Sequence, residues 1–210
     1  MNIVLIEDSD LIGRNRVLLN GRRAQHIVNV LKAKVGDSIR AGRINGKRGN
    51  ALVTGITDFK VELEIEFVHP APAPLPVTLL LALPRPKVLK RVLGAAVTMG
   101  VKEIFLFNSW RVDKSYWQTP LLKAEKLHEI ALLALEQAVD TKLPKITTRP
   151  LFRPFAEDEV PILSKDRDAW LMHPHSQPTL AATEQFAGPQ QRPGLIAIGP
   201  EGGFIPFEVE

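Results

Sequence analysis

Gly199-Pro200-Glu201-Gly202-Gly203 follows directly on the apolar run Leu195-Ile196-Ala197-Ile198. The run reads as a short buried strand. Pro200 fixes its own φ and drives Gly199 out of the helical region. Gly202 and Gly203 lack a Cβ, so the backbone there can take a positive φ and lie close to a ligand. A strand feeding a glycine-rich turn is where α/β proteins hold nucleotide-like ligands, at the carboxyl end of the sheet. An ordinary tight turn satisfies the same residues. A second strand, Ala169–Met172, ends in His173-Pro174-His175. If the two strands are parallel neighbours, their loops meet. His173 and His175 share a face of an extended segment and could ligate a metal, but no third ligand is evident, so no metal site is expected. The backbone around His173 is the better candidate for lining a pocket.

Several chemistries are disfavoured. No G-x-G-x-x-G or G-x-x-x-x-G-K-[ST] is present, against a dinucleotide fold or a P-loop NTPase. No G-x-S-x-G elbow marks a serine hydrolase. There are no cysteines, which removes disulfides, thiolate zinc sites and cysteine nucleophiles. Glu157-Asp158-Glu159 reads as a solvated acidic turn, and His69 as a structural or surface residue. The N-terminus lacks a basic n-region and no apolar run is long enough to span a membrane, so a soluble cytoplasmic protein is expected.

Charge is uneven along the chain. Residues 14–48 carry ten basic side chains against one acid, Asp37, and seven of the ten are arginine. Guanidinium is the better group for phosphate and for base stacking. Arg14, Arg22, Arg23, Arg43 and Arg48 are therefore candidate RNA contacts, joined by Arg85 and Lys87 further on. A Lys/Arg-rich solvated surface is the alternative. Residues 151–210 are net acidic.

The elements that must position these groups fall into two sets. Strands are expected over Ile3–Ile6, Arg16–Leu19, Ser38–Ile44, Gly49–Ile56 and Phe59–Val68, with a short helix over Arg23–Lys32 and a hairpin turn at Asn45-Gly46. Short strands around one small helix suggest a small β-barrel, residues 1–70. Pro70 to Pro76 holds four prolines in seven residues and reads as a stiff extended linker, 71–76, unable to pair in a sheet. From Val77 onward the pattern becomes strand–helix alternation, the mark of a mainly parallel α/β sheet, residues 77–210. Its expected elements are a strand Val77–Leu83, a helix Lys87–Met99, a strand Glu103–Phe107, a helix capped by Thr119-Pro120 and running to about Ala138, a short strand Ile146–Thr148, and a helix Thr179–Phe186.

These residues resemble a known family. Ile198-Gly199-Pro200-Glu201-Gly202-Gly203-Phe204 is similar to the most specific signature of the RsmE family of 16S ribosomal RNA uridine-N3 methyltransferases. Leu171-Met172-His173-Pro174 resembles that family's strand ending in His-Pro, and Ile130–Gln137 its Ala-rich helix ending in Glu-Gln. His26-Ile27 with Val30-Leu31, Val35-Gly36-Asp37 and Ser109-Trp110-Arg111 approximate further elements, so the likeness spans nearly the whole chain. It implies an α/β protein with an N-terminal PUA-like RNA-binding barrel and a C-terminal SPOUT domain with a trefoil knot. It also implies a homodimer, with S-adenosyl-L-methionine as cofactor and the 30S subunit as partner, and no metal or membrane. Leu171, His173, Pro174, Ile198, Gly199, Pro200, Gly202 and Gly203 would then hold the cofactor. Arg111 would orient the base or stabilise a developing anion, or else contact a phosphate. Glu201 would handle the proton, or else serve as a helix N-terminal carboxylate.

Two departures stand out. The family continues beyond G-P-E-G-G-F-x-x-x-E with segments that complete the knot, whereas this chain ends at Glu210; an incomplete knot and weak cofactor binding are expected of the chain as given. The family also follows Glu-Gln with a small residue, Gly and Arg, where this chain has Ala138-Val139-Asp140. Together they keep open a non-catalytic RNA-binding or ribosome-assembly role.

Overall fold

The computed structural model describes residues 1–173 and 192–209; Pro174, His175 and the expected helix Thr179–Phe186 lie outside the described residues. The chain divides into two compact units, Met1–Ala73 with Ala131–Leu143, and Pro74–Ile130 with Pro144–Glu210.

The first unit is a curled, PUA-like five-stranded sheet. Its strands are β1 (Val4–Ile6), β2 (Arg16–Asn20), β3 (Ser38–Arg43), β4 (Arg48–Ile56) and β5 (Lys60–His69), in the order β1-β3-β4-β5-β2. Only the β1–β3 pair is parallel. Strict alternation builds the core: Val61 and Leu63 of β5 point in while Glu64 points out, opposite Arg16 of β2. Val4, Ile6, Val17, Leu19, Val53 and Ile27 close the same cluster. The helix starts at Gly21 (φ 57), earlier than expected, as α1 (Gly21–Gln25) and continues as one π-helical turn, His26–Val30. The side chain of Arg23 turns inward. It donates to both carboxylate oxygens of buried Asp10 at 2.6 and 2.7 Å and to the Leu5 carbonyl at 2.8 Å.

Residues 131–143 belong to this unit through specific bonds. The Glu136 carbonyl accepts from Asn2 N and Ile3 N, and its carboxylate takes Arg22 in a two-pronged pair at 2.6 and 2.9 Å. The Val139 carbonyl accepts from Arg48 at 3.0 Å, and the Thr141 hydroxyl donates to the Gly46 carbonyl at 2.6 Å.

The second unit is built on a fully parallel sheet whose strands lie in the order Lys145–Arg149, Val101–Phe107, Leu75–Ala82, Gly194–Ile198, Asp168–Met172. Its strands are β6 (Leu75–Ala82), β7 (Val101–Phe107), β8 (Lys145–Arg149), β9 (Asp168–Met172) and β10 (Gly194–Ile198). β6 begins inside the proline run that reads as an unpaired linker. Leu75 pairs with Val101, and the register shifts before Thr78, so the missing N–H of Pro76 falls at an irregularity where a sheet tolerates it. Helix α2 (Pro86–Thr98) carries Pro86 at its first position and buries Leu89, Leu93, Ala96 and Val97.

Two further expectations are corrected. Thr119 caps only a 3₁₀ turn, Pro120–Leu122, because Lys123 is extended; helix α3 (Ala124–Ala138) starts afresh after it. Glu157 and Asp158 are solvent-exposed as expected, but Glu157-Asp158-Glu159 is not a turn. It lies in a helical stretch formed by α4 (Phe152–Pro154), a π-helical turn Phe155–Glu159 and α5 (Val160–Ser164). Buried Phe155 anchors that stretch against Phe105 and Phe107, with ring centroids 5.6 and 5.4 Å away. Glu159 takes the Arg149 guanidinium in two bonds of 2.5 and 2.8 Å, and those bonds hold its carboxyl below the usual carboxylate range. Among the described residues no helix is long and apolar enough to cross a membrane.

Candidate functional site

Because every strand of the second sheet runs the same way, their carboxyl ends share one edge. β10 sits between β6 and β9, with Ile198 opposite Leu81 on one side and Met172 on the other. The loops after β6, β9 and β10 therefore emerge side by side, and the two strand ends singled out from the sequence are neighbours. Parallel sheets bind ligands at this edge. Apolar side chains are open there: Leu171 is 36% exposed and Ile198 38%.

The glycine loop is tightly shaped. The Gly203 N–H returns to the Pro200 carbonyl at 2.8 Å, and Gly203 has φ 71, a region costly for any residue with a Cβ. A Cβ on Gly199 would come within 3.1 Å of the Phe204 ring. Phe204 is buried and stacks on Phe107, with centroids 6.3 Å apart, which ties the loop to β7. Glu201 Oε1 accepts from the Arg85 N–H at 3.1 Å, joining the loop to the turn after β6. The Arg111 guanidinium donates to the Gly202 carbonyl. Glu208 Oε1 accepts from Trp110 N at 2.7 Å and Oε2 from Ile205 N at 3.0 Å. One carboxylate thus joins the segment after β7 to the segment after the glycine loop. Glu208 carries no signal by residue type alone; its place five residues after Gly203 is what marks it.

Arg111, Glu201, Gly199, Pro200, Gly202 and Gly203 converge on this edge with Ile198, Leu171 and His173. Pro174 lies outside the described residues. The group fits an adenosyl sulfonium ligand in kind, with partly exposed apolar side chains at Leu171 and Ile198 and a glycine turn beside them. Among the described residues no three His, Asp or Glu side chains gather as a metal site.

The basic candidates are dispersed in role. In the first unit Arg14 is exposed, Arg22 is held by Glu136, Arg43 by Asp8 at 2.8 Å, and Arg48 by the Val139 carbonyl. The hydrogen bond from Arg43 lowers the Asp8 pKa. Arg23 faces inward onto Asp10. In the second unit Arg85 and Lys87 are exposed at the start of α2.

Comparison with known proteins gives these features a family. The RNA methyltransferase domain pattern matches residues 71–210, and the RNA methyltransferase PUA domain pattern matches residues 19–66. The chain belongs to the RNA methyltransferase family. The RsmE resemblance carried by the motifs agrees with its relatives. Ribosomal RNA small subunit methyltransferase E of Treponema pallidum is 34% identical over 165 residues, 78% of this chain; the aligned region spans 62% of the relative's length. Ribosomal RNA small subunit methyltransferase E 1 of Borreliella burgdorferi is 26% identical over 99% of this chain and 84% of its own length. The fold matches a ribosomal RNA small subunit methyltransferase E from Neisseria gonorrhoeae, solved bound to S-adenosyl methionine. The TM-score is 0.73 at 21% identity, covering 100% of this chain and 83% of that one. A putative methyltransferase from Legionella pneumophila, solved with bound SAM, gives 0.72 at 20% identity, covering 99% and 83%.

Proposed function

We propose that this protein transfers the methyl group of S-adenosyl-L-methionine to N3 of a uridine in 16S rRNA of the small ribosomal subunit. The observation that carries this reading is the Gly199–Phe204 loop, the family's signature, held beside Leu171 and Ile198 at the carboxyl edge of a parallel sheet. Activity, substrate and cofactor come to this chain from its family and relatives.

The cofactor, when bound, supplies an electrophilic methyl on a sulfonium. Leu171 and Ile198 offer the apolar surface for its adenine, and His173, Pro174, Gly199, Pro200, Gly202 and Gly203 the backbone groups that would orient it. N3 of uridine carries a proton that must leave for the nitrogen lone pair to attack in line. The chain therefore has to unstack the base, place N3 and accept the proton. Arg111, fixed on the Gly202 carbonyl, is positioned to stabilise charge that develops on the uracil oxygens as N3 loses its proton. Glu201 is the proton acceptor in this reading: one of its oxygens is held by Arg85 N, which aims the side chain.

The rest of the reading follows the family. Residues 1–70, completed by 131–143, form the RNA-binding domain, and the rest of 77–210 the methyltransferase domain, whose first strand already opens at Leu75 within the 71–76 connection; a trefoil knot, a homodimer and a cytoplasmic location complete the reading. Arg14, Arg22, Arg43, Arg48, Arg85 and Lys87 contact RNA phosphates. Arg23 is the weakest of the seven candidates, since its guanidinium is satisfied by Asp10 and Leu5.

The test is cofactor binding together with an Arg111 series. S-adenosylhomocysteine should raise Tm, and Arg111→Ala should lower kcat/KM by roughly a hundredfold, the scale of one lost transition-state donor. Arg111→Lys should recover part of that rate. An unchanged Tm, combined with salt-sensitive RNA binding, would instead favour the non-catalytic RNA-binding role.

A further inference from the structure

A cavity of about 470 Å³ opens beside the glycine loop. Its walls come from the segment after β7, the start of the 152–164 helical stretch, and the turn that follows Phe204. Its size is that of a small-molecule site and suits a pyrimidine nucleotide. Three observations say what it would take. Trp110 is 80% exposed and Phe207 55%, so two aromatic rings at its rim are open to solvent. Ser109 is 3% exposed and lines the cavity, and its hydroxyl has no hydrogen-bond partner among the described residues. Arg153 lies over the Phe207 ring, 5.6 Å from its centroid, and Lys114 stands on the same wall.

Aromatic faces stack nucleobases whatever their sequence, a buried hydroxyl without a partner is costly until something bonds it, and cations beside the ring suit the phosphate that accompanies a base. The place is also right. Trp110 and Ile205 are clamped together by Glu208, and Arg111, the next residue, touches the Gly202 carbonyl. The cavity therefore adjoins the loop assigned to the methyl donor.

We propose that this cavity receives the extruded uracil of the RNA substrate, with Trp110 stacking on the ring and Ser109 Oγ donating to a uracil carbonyl. The inference rests on the methyltransferase reading and adds the base pocket to it. Lys114 and Arg153 take the flanking phosphates.

The test is photocrosslinking of the full chain to a small-subunit rRNA fragment substituted with 5-iodouridine, which couples to aromatic side chains stacked on it. Peptide mass spectrometry should find the adduct on Trp110 or Phe207. Trp110→Ala should cut the yield roughly tenfold, in line with loss of one stacking partner, and Trp110→Phe should restore it. Ser109→Ala should weaken base capture while leaving the S-adenosylhomocysteine shift in Tm unchanged. Adducts confined to residues 1–70 would overturn the inference. So would loss of a dimer in Trp110→Ala with no adduct at Trp110, which would make the aromatic patch an interface between copies. The assay needs no turnover. Adducts at Trp110 without methyl transfer would keep the pocket and sink the catalytic reading; methyl transfer with adducts elsewhere would do the reverse.

Discussion

At the scale of single residues, Val139 stands out. It follows the last residue of α3 with φ 56, the left-handed conformation that a β-branched side chain resists. The position is a helix C′ site, where glycine is the favoured residue. Neighbouring bonds hold it there: Arg48 donates to its carbonyl, Asp140 N–H reaches back to the Leu135 carbonyl at 3.1 Å, and the Asp140 carboxylate accepts from Lys142 N at 2.9 Å. Val139→Gly should therefore stabilise the first unit by about 1 kcal/mol, read as a raised denaturation midpoint. A fall in the midpoint would mean the valine side chain contributes packing that outweighs the strain. The same contacts account for Asp140 where the family has arginine. It is buried and bonded within the unit, so this stretch does structural work here.

His26 gives a pH signature at the same scale. Burial is the main cause that pushes its pKa below the ordinary 6.5, aided by the N-terminal ammonium and opposed by Glu136. The folded form thus prefers neutral His26, and its unfolded form binds the proton more readily. The resulting stability is present in full above about pH 6.5 and is lost as pH falls through the lower folded-state value. The Tm of the protein should drop over that window, and His26→Gln should flatten the drop. A His26→Gln protein with the same pH dependence would remove the histidine from the account.

At the scale of elements, the informative joint is Glu208. Its carboxylate accepts two backbone N–H groups from segments that are far apart in sequence, at Trp110 and Ile205. Glutamine at this position keeps one acceptor and presents a donor to the other N–H. Glu208→Gln should cost about 1–3 kcal/mol and speed amide exchange at Trp110 and Ile205 together. Faster exchange at only one of them would mean the two segments are held independently. Much of the element pattern was legible in the sequence. Alternation in β5, the apolar runs of β6 and β10, and the amphipathic pattern from Lys87 that marks α2 each identify their element by local chemistry, α2 itself starting one residue earlier at Pro86. What stayed hidden was decided by partners distant in sequence. Pro76 enters a strand because Leu75 finds Val101. Residues 152–164 become helical because Phe155 has an aromatic pair to pack on and Glu159 has Arg149. Neither partner can be read from the segment itself.

At the scale of the whole molecule, two classes of residue differ in how readable their function was. The glycine loop announces itself, since backbone shape is written in Gly and Pro. The basic residues do not: composition marks residues 14–48 as a polyanion surface, yet Arg23 is half-buried and spent on Asp10, and Arg22 holds Glu136. Arginine serves structure and phosphate with the same five donors, and only the folded geometry separates the two uses. RNA affinity should accordingly fall most on charge reversal at Arg14, Arg85 and Lys87, each exposed.

The most direct test of the central claim is methyl transfer from labelled S-adenosyl-L-methionine to unmodified 30S particles, followed by nucleoside analysis of the 16S rRNA. The account predicts label in N3-methyluridine at a single position, abolished by Glu201→Ala and strongly reduced by Arg111→Ala. Label in any other nucleoside would contradict the assigned chemistry, and no label despite cofactor binding would contradict the assignment of the 30S subunit as substrate.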